Sequence, residues 1–178
     1  MKKNIFIFVF MLCFLIPNVS MATEENVGCS HIVPCYELTE IEGVYFRNTD
    51  GLFKCAYYKT GELRFEQPLR HGKVHGISRE YDKKGRIVCT VPFVNGMVEG
   101  IQKNYYENGS LSFETPLKNN KREGQQKVYR KNGKLFATIV YKNNSPISGM
   151  CHNSDGSTTH LTNAELSNWE NGLNIECN

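Results

Sequence analysis

Four tyrosines, Tyr57, Tyr81, Tyr105 and Tyr129, recur at intervals of 24 residues, and four further columns keep step with them. Gly61, Gly85, Gly109 and Gly133 follow each tyrosine by four residues. Leu63, Ile87, Leu111 and Leu135 come two later. Pro68, Pro92 and Pro116 hold the next column, with Val140 in the fourth place. Gly76, Gly100 and Gly124 form the last, and Gly149 follows with one inserted residue. Five columns in register across four units are a true internal repeat. A repeat of this length restricts the chain to architectures built by stacking one supersecondary unit on the next.

Each column has a physical reading. The segments Lys59-Thr60-Gly61, Lys83-Lys84-Gly85, Glu107-Asn108-Gly109 and Lys131-Asn132-Gly133 end in a residue that tolerates the positive φ of a hairpin turn. Alternation with period two on either side predicts half-buried strands. Leu63, Phe65 and Leu69 are expected on one side of a strand, as are Ile87, Cys89, Val91 and Phe93. Leu111, Phe113 and Leu117 repeat the set, and so do Leu135, Ala137, Ile139 and Tyr141. Arg64, Glu66, Arg86, Thr90, Ser112 and Glu114 are expected on a solvated side. A second turn cluster, such as Asn95-Gly96 with Gly100 beyond it, leads into the next hairpin. The predicted fold is therefore mainly β: an elongated antiparallel meander of stacked hairpin repeats of 24 residues.

The units Tyr105-Tyr106-Glu107-Asn108-Gly109-Ser110-Leu111 and Tyr129-Arg130-Lys131-Asn132-Gly133-Lys134-Leu135 resemble the MORN-variant repeat of YwqK-type bacterial proteins. The resemblance covers residues 53–150. It implies a non-catalytic repeat array. Proteins of this type are often described as antitoxins, which implies a toxin-binding role, and related repeats are linked by name to membranes and lipids.

The N-terminus predicts export. Lys2 and Lys3 precede an unbroken apolar run from Ile5 to Ile16, Pro17 ends it, and Ser20 and Ala22 fit the signal-peptidase rule. Residues 1–22 are thus expected to be cleaved, leaving a periplasmic or secreted chain. The run falls short of the roughly 20 residues a membrane span needs. Cleavage takes both lysines, so the formal charge falls from +3 to +1. A near-neutral chain gives no electrostatic case for nucleic acid.

Six cysteines remain, and in an exported chain an even number reads as disulfides. Cys151 follows the last hairpin and Cys177 follows a predicted capping helix, so a bond between them would pin that cap. Cys55 and Cys89 are expected three strand steps apart, about 14 Å, too far to bond. Their partners, if any, are then Cys29 and Cys35, with a local Cys29–Cys35 bond, or one or two pairs kept as buried thiols, as the alternatives. Cys29, His31 and Cys35 lack the second half of a zinc motif, so no metal site is expected.

The predicted segments are a signal peptide (1–22), an N-terminal cap with a hairpin (23–52), four repeats (53–150) and a C-terminal cap (151–178). In the last, Thr162 and Glu165 make a capping box and Gly172 a helix stop, with Leu161, Leu166 and Trp169 as the buried stripe.

Catalytic chemistry is not legible. There is no nucleophile elbow, phosphate loop or zinc helix. His71 and His75 fall in an inter-hairpin turn, and Glu99 and Glu123 are a unit apart, too far to act as an acid–base pair. The chain is expected not to be an enzyme and to need no cofactor. Lys118, Lys121, Arg122, Lys127, Arg130, Lys131 and Lys134 make the last two units locally basic, and Lys121, Arg122 and Lys127 are the candidate binding surface. The expected partner is a protein at the envelope or outside the cell; a weak membrane-surface or glycan contact through the basic units is the alternative.

Overall fold

The computed structural model describes residues 39–41, 44–49, 53–170, 175 and 177, with 39–41 and 44–49 defined by their strand pairing. The first strands are β1 (Thr39–Ile41), β2 (Val44–Thr49), β3 (Phe53–Tyr57), β4 (Leu63–Arg70) and β5 (Lys73–Val74). They continue as β6 (Gly76–Tyr81), β7 (Ile87–Val94), β8 (Met97–Val98), β9 (Gly100–Tyr105) and β10 (Leu111–Lys118). The last are β11 (Lys121–Arg122), β12 (Gly124–Tyr129), β13 (Leu135–Lys142), β14 (Ser145–His152) and β15 (Thr158–His160), followed by one helix, α1 (Asn163–Glu170). The main path through the open antiparallel sheet is β1-β2-β3-β4-β6-β7-β9-β10-β12-β13-β14-β15; β5, β8 and β11 pair with β4, β7 and β10. This is the predicted elongated meander with its C-terminal helix.

Two kinds of turn alternate. At the tyrosine end of each unit the chain closes a three-residue loop; Gly85 N–H donates to Asp82 O at 2.9 Å and Asp82 N–H to Arg86 O at 2.9 Å. At the other end, His71-Gly72, Asn95-Gly96, Asn119-Asn120 and Asn143-Asn144 all have positive φ at both positions. That is the two-residue type I′ hairpin, whose twist matches the flanking strands. The proline and distal-glycine columns explain each other. A Cβ on Gly100 would lie 3.0 Å from Pro92 Cγ, and φ there is +121°. Only a residue without a side chain takes that conformation so close to the ring.

One expectation about the faces fails for a local reason. In β4 the register skips a residue: Tyr57 pairs with Leu63 and Ala56 with Phe65. Equivalent bulges occur opposite Tyr81, Tyr105 and Tyr129. An extra residue in one strand reverses the alternation beyond it. Leu63, Ile87, Leu111 and Leu135 therefore lie on the face of the tyrosines, while Phe65, Cys89, Phe113 and Ala137 lie on the opposite face, where α1 packs. The supposedly wet set is also partly interior: Glu66 is 8% exposed and Ser112 5%.

The core divides accordingly. On the tyrosine face near the N-terminal end, Cys55, Tyr57, Leu63 and Tyr81 cluster, with Phe53 against them. On the helix face near the other end, Val128, Ala137, Ile139, Tyr141 and Cys151 pack with Leu161, Leu166 and Ile175. Gly149 belongs to this second cluster. A Cβ there would meet Leu161 Cδ1 at 2.6 Å and Leu166 Cδ2 at 3.2 Å. It keeps the letter of the distal-glycine column but makes room for the helix instead of a proline.

Candidate functional site

The repeated polar residues are placed by the register, and each meets a partner one unit along. On the tyrosine face, Tyr81 Oη donates to Glu66 Oε1 at 2.8 Å and Arg79 Nη1 lies 3.1 Å from the same oxygen. Two units on, Tyr129 Oη donates to Glu114 Oε2 at 2.7 Å and Lys103 Nζ lies 3.6 Å from Glu114 Oε1. Burial, reinforced by the adjacent carboxylate, pushes both phenols up to about 12. Arg79 and Lys103 are thus engaged; Lys127 in the same column forms no ion pair among the described residues.

At the type I′ edge, Glu99 Oε2 accepts Asn119 N–H at 3.0 Å and Glu123 Oε2 accepts Asn143 N–H at 2.8 Å. Asn120 takes both sides of one residue, accepting Val98 N–H at 2.7 Å through Oδ1 and donating its own N–H to Val98 O at 3.1 Å. Asn144 does the same to Arg122. At the opposite edge, Tyr58 Oη donates to Tyr81 O at 2.9 Å and Tyr106 Oη to Tyr129 O at 2.6 Å. These links were hidden in the sequence, although the recurring offsets of 20 to 23 residues between partners were a signal that could have found them.

The three candidate binding residues do not form one patch. Lys121 and Arg122 are on β11 at the type I′ edge, whereas Lys127 projects from the middle of β12. Arg122 is structurally occupied: its guanidinium lies 4.2 Å from the Tyr141 ring centroid, donates to Asn144 O at 2.9 Å and stands 3.9 Å from Glu170. Arg130, Lys131 and Lys134 lie at the other edge, so the basic run is divided between two rims. Arg130 donates to Leu135 O at 2.9 Å and His152 O at 3.1 Å.

Among the other candidates, His75 Nδ1 contacts Asn95 N at 3.4 Å and Oδ1 at 3.3 Å within the turn ladder, while His71 occupies the positive-φ turn position. Cys89, a disulfide candidate in the sequence, is instead a free, buried thiol on β7 in the column of Phe65 and Phe113; burial and the Glu80 charge push it up to about 11, so it holds its proton at neutral pH. Cys55 on β3 is disulfide-bonded and is separated from Cys89 by β4 and β6. Cys151 and Cys177 are bonded, with Cα atoms 5.4 Å apart. Cys29, His31, Cys35, Gly172 and the apolar N-terminal run lie outside the described residues. No group of described residues could hold a metal ion, and no helix among them is long and apolar enough to cross a membrane.

The described residues also form concave features. A groove of about 390 Å³ is lined by Phe113, Tyr129 and Phe136 under Trp169, with Arg130 and Lys131 at its margin. Trp169 is fixed from within the fold: Nε1 donates to Tyr141 Oη at 3.0 Å, and the indole meets Phe113 edge-on at 6.3 Å. A smaller groove of about 280 Å³ lies between type I′ tips, beside Lys118, Lys121 and Glu123.

The model of the MORN repeat variant matches residues 98–119 and 122–143, so two adjacent units of this array are MORN-variant repeats. None of the curated proteins compared matches the chain significantly. Among solved structures, a glycosylation associate protein complex from Streptococcus agalactiae is similar at 16% identity and TM-score 0.36, over 60% of this chain and 22% of that one. The GtfA/B complex bound to UDP and GlcNAc gives 11% identity and 0.33, over 79% and 28%. A point mutant of S. aureus TarM, in complex with Fondaparinux, alpha-GlcNAc-glycerol and UDP, gives 6% and 0.34, over 67% and 21%. This chain therefore spans between a fifth and three tenths of the length of those proteins.

Proposed function

We propose that the protein is an exported, non-catalytic repeat scaffold that binds another protein through the surface of its sheet. The supporting observation is how the repeated polar side chains are used. Glu66, Glu114, Glu99 and Glu123 are the carboxylates best placed for chemistry by repetition, and each has an oxygen bonded to a neighbouring unit. A carboxylate engaged in this way supports the array and is poorly available as a base. What the array offers to other molecules is a long open surface, and binding is the common use of such surfaces. Capture from envelope fractions with residues 23–178 as bait tests the reading. A discrete protein recovered in stoichiometric amount supports it. An activity toward esters, glycosides, peptides or phosphates that disappears on changing one polar residue overturns it.

One observation favours a second reading, a glycan-associated module. The groove under Trp169 combines aromatic walls with Arg130 and Lys131 at its margin, a combination suited to an acidic sugar. Soluble acidic oligosaccharides that compete with protein capture, and lose that effect on Lys131→Glu, would favour it. A membrane contact through lysines is separated by salt, since liposome binding of that kind weakens steeply as ionic strength rises.

A further inference from the structure

We infer that the row of type I′ hairpin tips is the docking edge, and that it takes an acidic polypeptide segment with an apolar anchor at its centre. The inference rests on the protein-binding reading and names its surface and partner chemistry. The residues flanking each turn are cross-strand partners: Arg70 with Lys73, Val94 with Met97, Lys118 with Lys121, and Lys142 with Ser145. Cations thus occupy the first, third and fourth tips, and aliphatic side chains the second. The tips stand side by side in sequence order, because Gly96 N–H donates to Val74 O at 2.7 Å and Asn120 N–H to Val98 O at 3.1 Å. The apolar tip therefore lies between two basic ones.

Val94 and Met97 are 42% and 45% exposed. On the same face behind them, Ile77 and Ile101, the cross-strand partners of Pro92 and Pro116, are 44% and 52% exposed. No structural duty within the array accounts for aliphatic residues at this tip, since its neighbours fold with lysine and arginine at the same positions. Arg70, Lys73, Lys118 and Lys121 form no ion pairs among the described residues, so their charge is open to a partner. Glu99 and Glu123, the carboxylates nearest the turns, already accept backbone N–H groups.

Spacing adds a constraint. Successive tips are two strands apart, so the first and third are separated by about 19 Å. A segment carrying acidic groups that far apart, with a large aliphatic or aromatic side chain midway, matches the row in both charge and hydrophobicity. The patch has no aromatic belt of the kind that seats proteins at a bilayer interface, which favours a polypeptide over lipid. Methionine adds an adaptable contact suited to a binding surface.

The test uses a fluorescein-labelled peptide with aspartate pairs at both ends and Leu-Phe-Leu at its centre, titrated by residues 23–178 and followed by anisotropy. Val94→Lys with Met97→Lys installs side chains that adjacent tips already carry, so folding is expected to persist, and circular dichroism checks it. The double variant is expected to weaken binding at least tenfold. Lys118→Glu with Lys121→Glu should weaken it further, and raising the salt should weaken the wild type. The inference is overturned if the wild type does not bind the peptide or if Val94→Lys/Met97→Lys leaves its affinity unchanged. Equal binding of a peptide with a serine centre, or binding of phosphatidylserine vesicles in place of the peptide, overturns it as well. Protein capture that survives the tip variant would remove the tip row while leaving the scaffold reading in place.

Discussion

Glu66 is the clearest case of a residue whose environment decides its role. It is nearly buried on the tyrosine face, between the Tyr81 hydroxyl and the Arg79 guanidinium. Removing the hydroxyl by Tyr81→Phe leaves that carboxylate with one partner fewer, which is expected to cost about 1 to 3 kcal/mol; urea denaturation measures it. Tyr81 and Tyr129 also give the fold a pH dependence. Their folded-state phenols are held protonated up to about 12, against 10.0 for the unperturbed group. Stability from this source is complete below pH 10 and falls as pH rises from 10 toward 12, because the unfolded chain releases these protons first. Ultraviolet titration should show Tyr81 and Tyr129 ionising well above pH 10. Denaturation at pH 9 and pH 11 should show the loss, and both changes should shrink in Tyr81→Phe.

At the scale of elements, α1 has only eight residues, too few to persist alone. Three features hold it. Glu165 Oε2 accepts the Thr162 backbone N–H at 2.7 Å, while Thr162 Oγ1 accepts Glu165 N–H at 3.3 Å, the two halves of the capping box. Leu161 and Leu166 fill the space above Gly149. The Cys151–Cys177 bond closes a loop across the end of the sheet. Gly149→Ala should push the helix away, cost about 1 to 3 kcal/mol by overpacking, and shift the emission of Trp169 to the red as it leaves Tyr141. Cys151→Ser with Cys177→Ser should lower stability by about 3 kcal/mol, since the closed loop spans 26 residues. An unchanged midpoint after that double substitution would show that packing alone secures the cap.

For the molecule as a whole, the strand order follows the chain, so each unit packs mainly on the units before and after it. Arrays of this kind tolerate loss of an interior unit. Deleting residues 82–105 joins Tyr81 to Tyr106 in the same phase as Tyr105 to Tyr106. The product is expected to keep its β circular dichroism per residue and to unfold at a lower urea concentration. Deleting residues 82–93, half a unit, breaks the hairpin phase and should abolish cooperative unfolding. Export is tested by intact mass: protein recovered from periplasm or medium should begin at Thr23.

The sequence by itself determined the unit, its length, the place of both turns and the C-terminal helix. Those features depend on residues close together in the chain: a glycine or asparagine able to take positive φ, alternation within a strand, a threonine three residues before a glutamate. The candidate site was less legible. Lys121, Arg122 and Lys127 look like one basic cluster, yet β11 and β12 place them apart, and Arg122 is tied to Tyr141 and Asn144. Only the tertiary structure decided which face each residue takes. One bulged residue per unit carries Leu63, Ile87, Leu111 and Leu135 to the tyrosine face, and period-two alternation contains no sign of it. Likewise, Gly149 continues a column in the sequence but serves the helix in the fold, because Leu161 and Leu166 reach it from another element. The exact pairing of strands and the packing of one element on another are what local pattern could not supply.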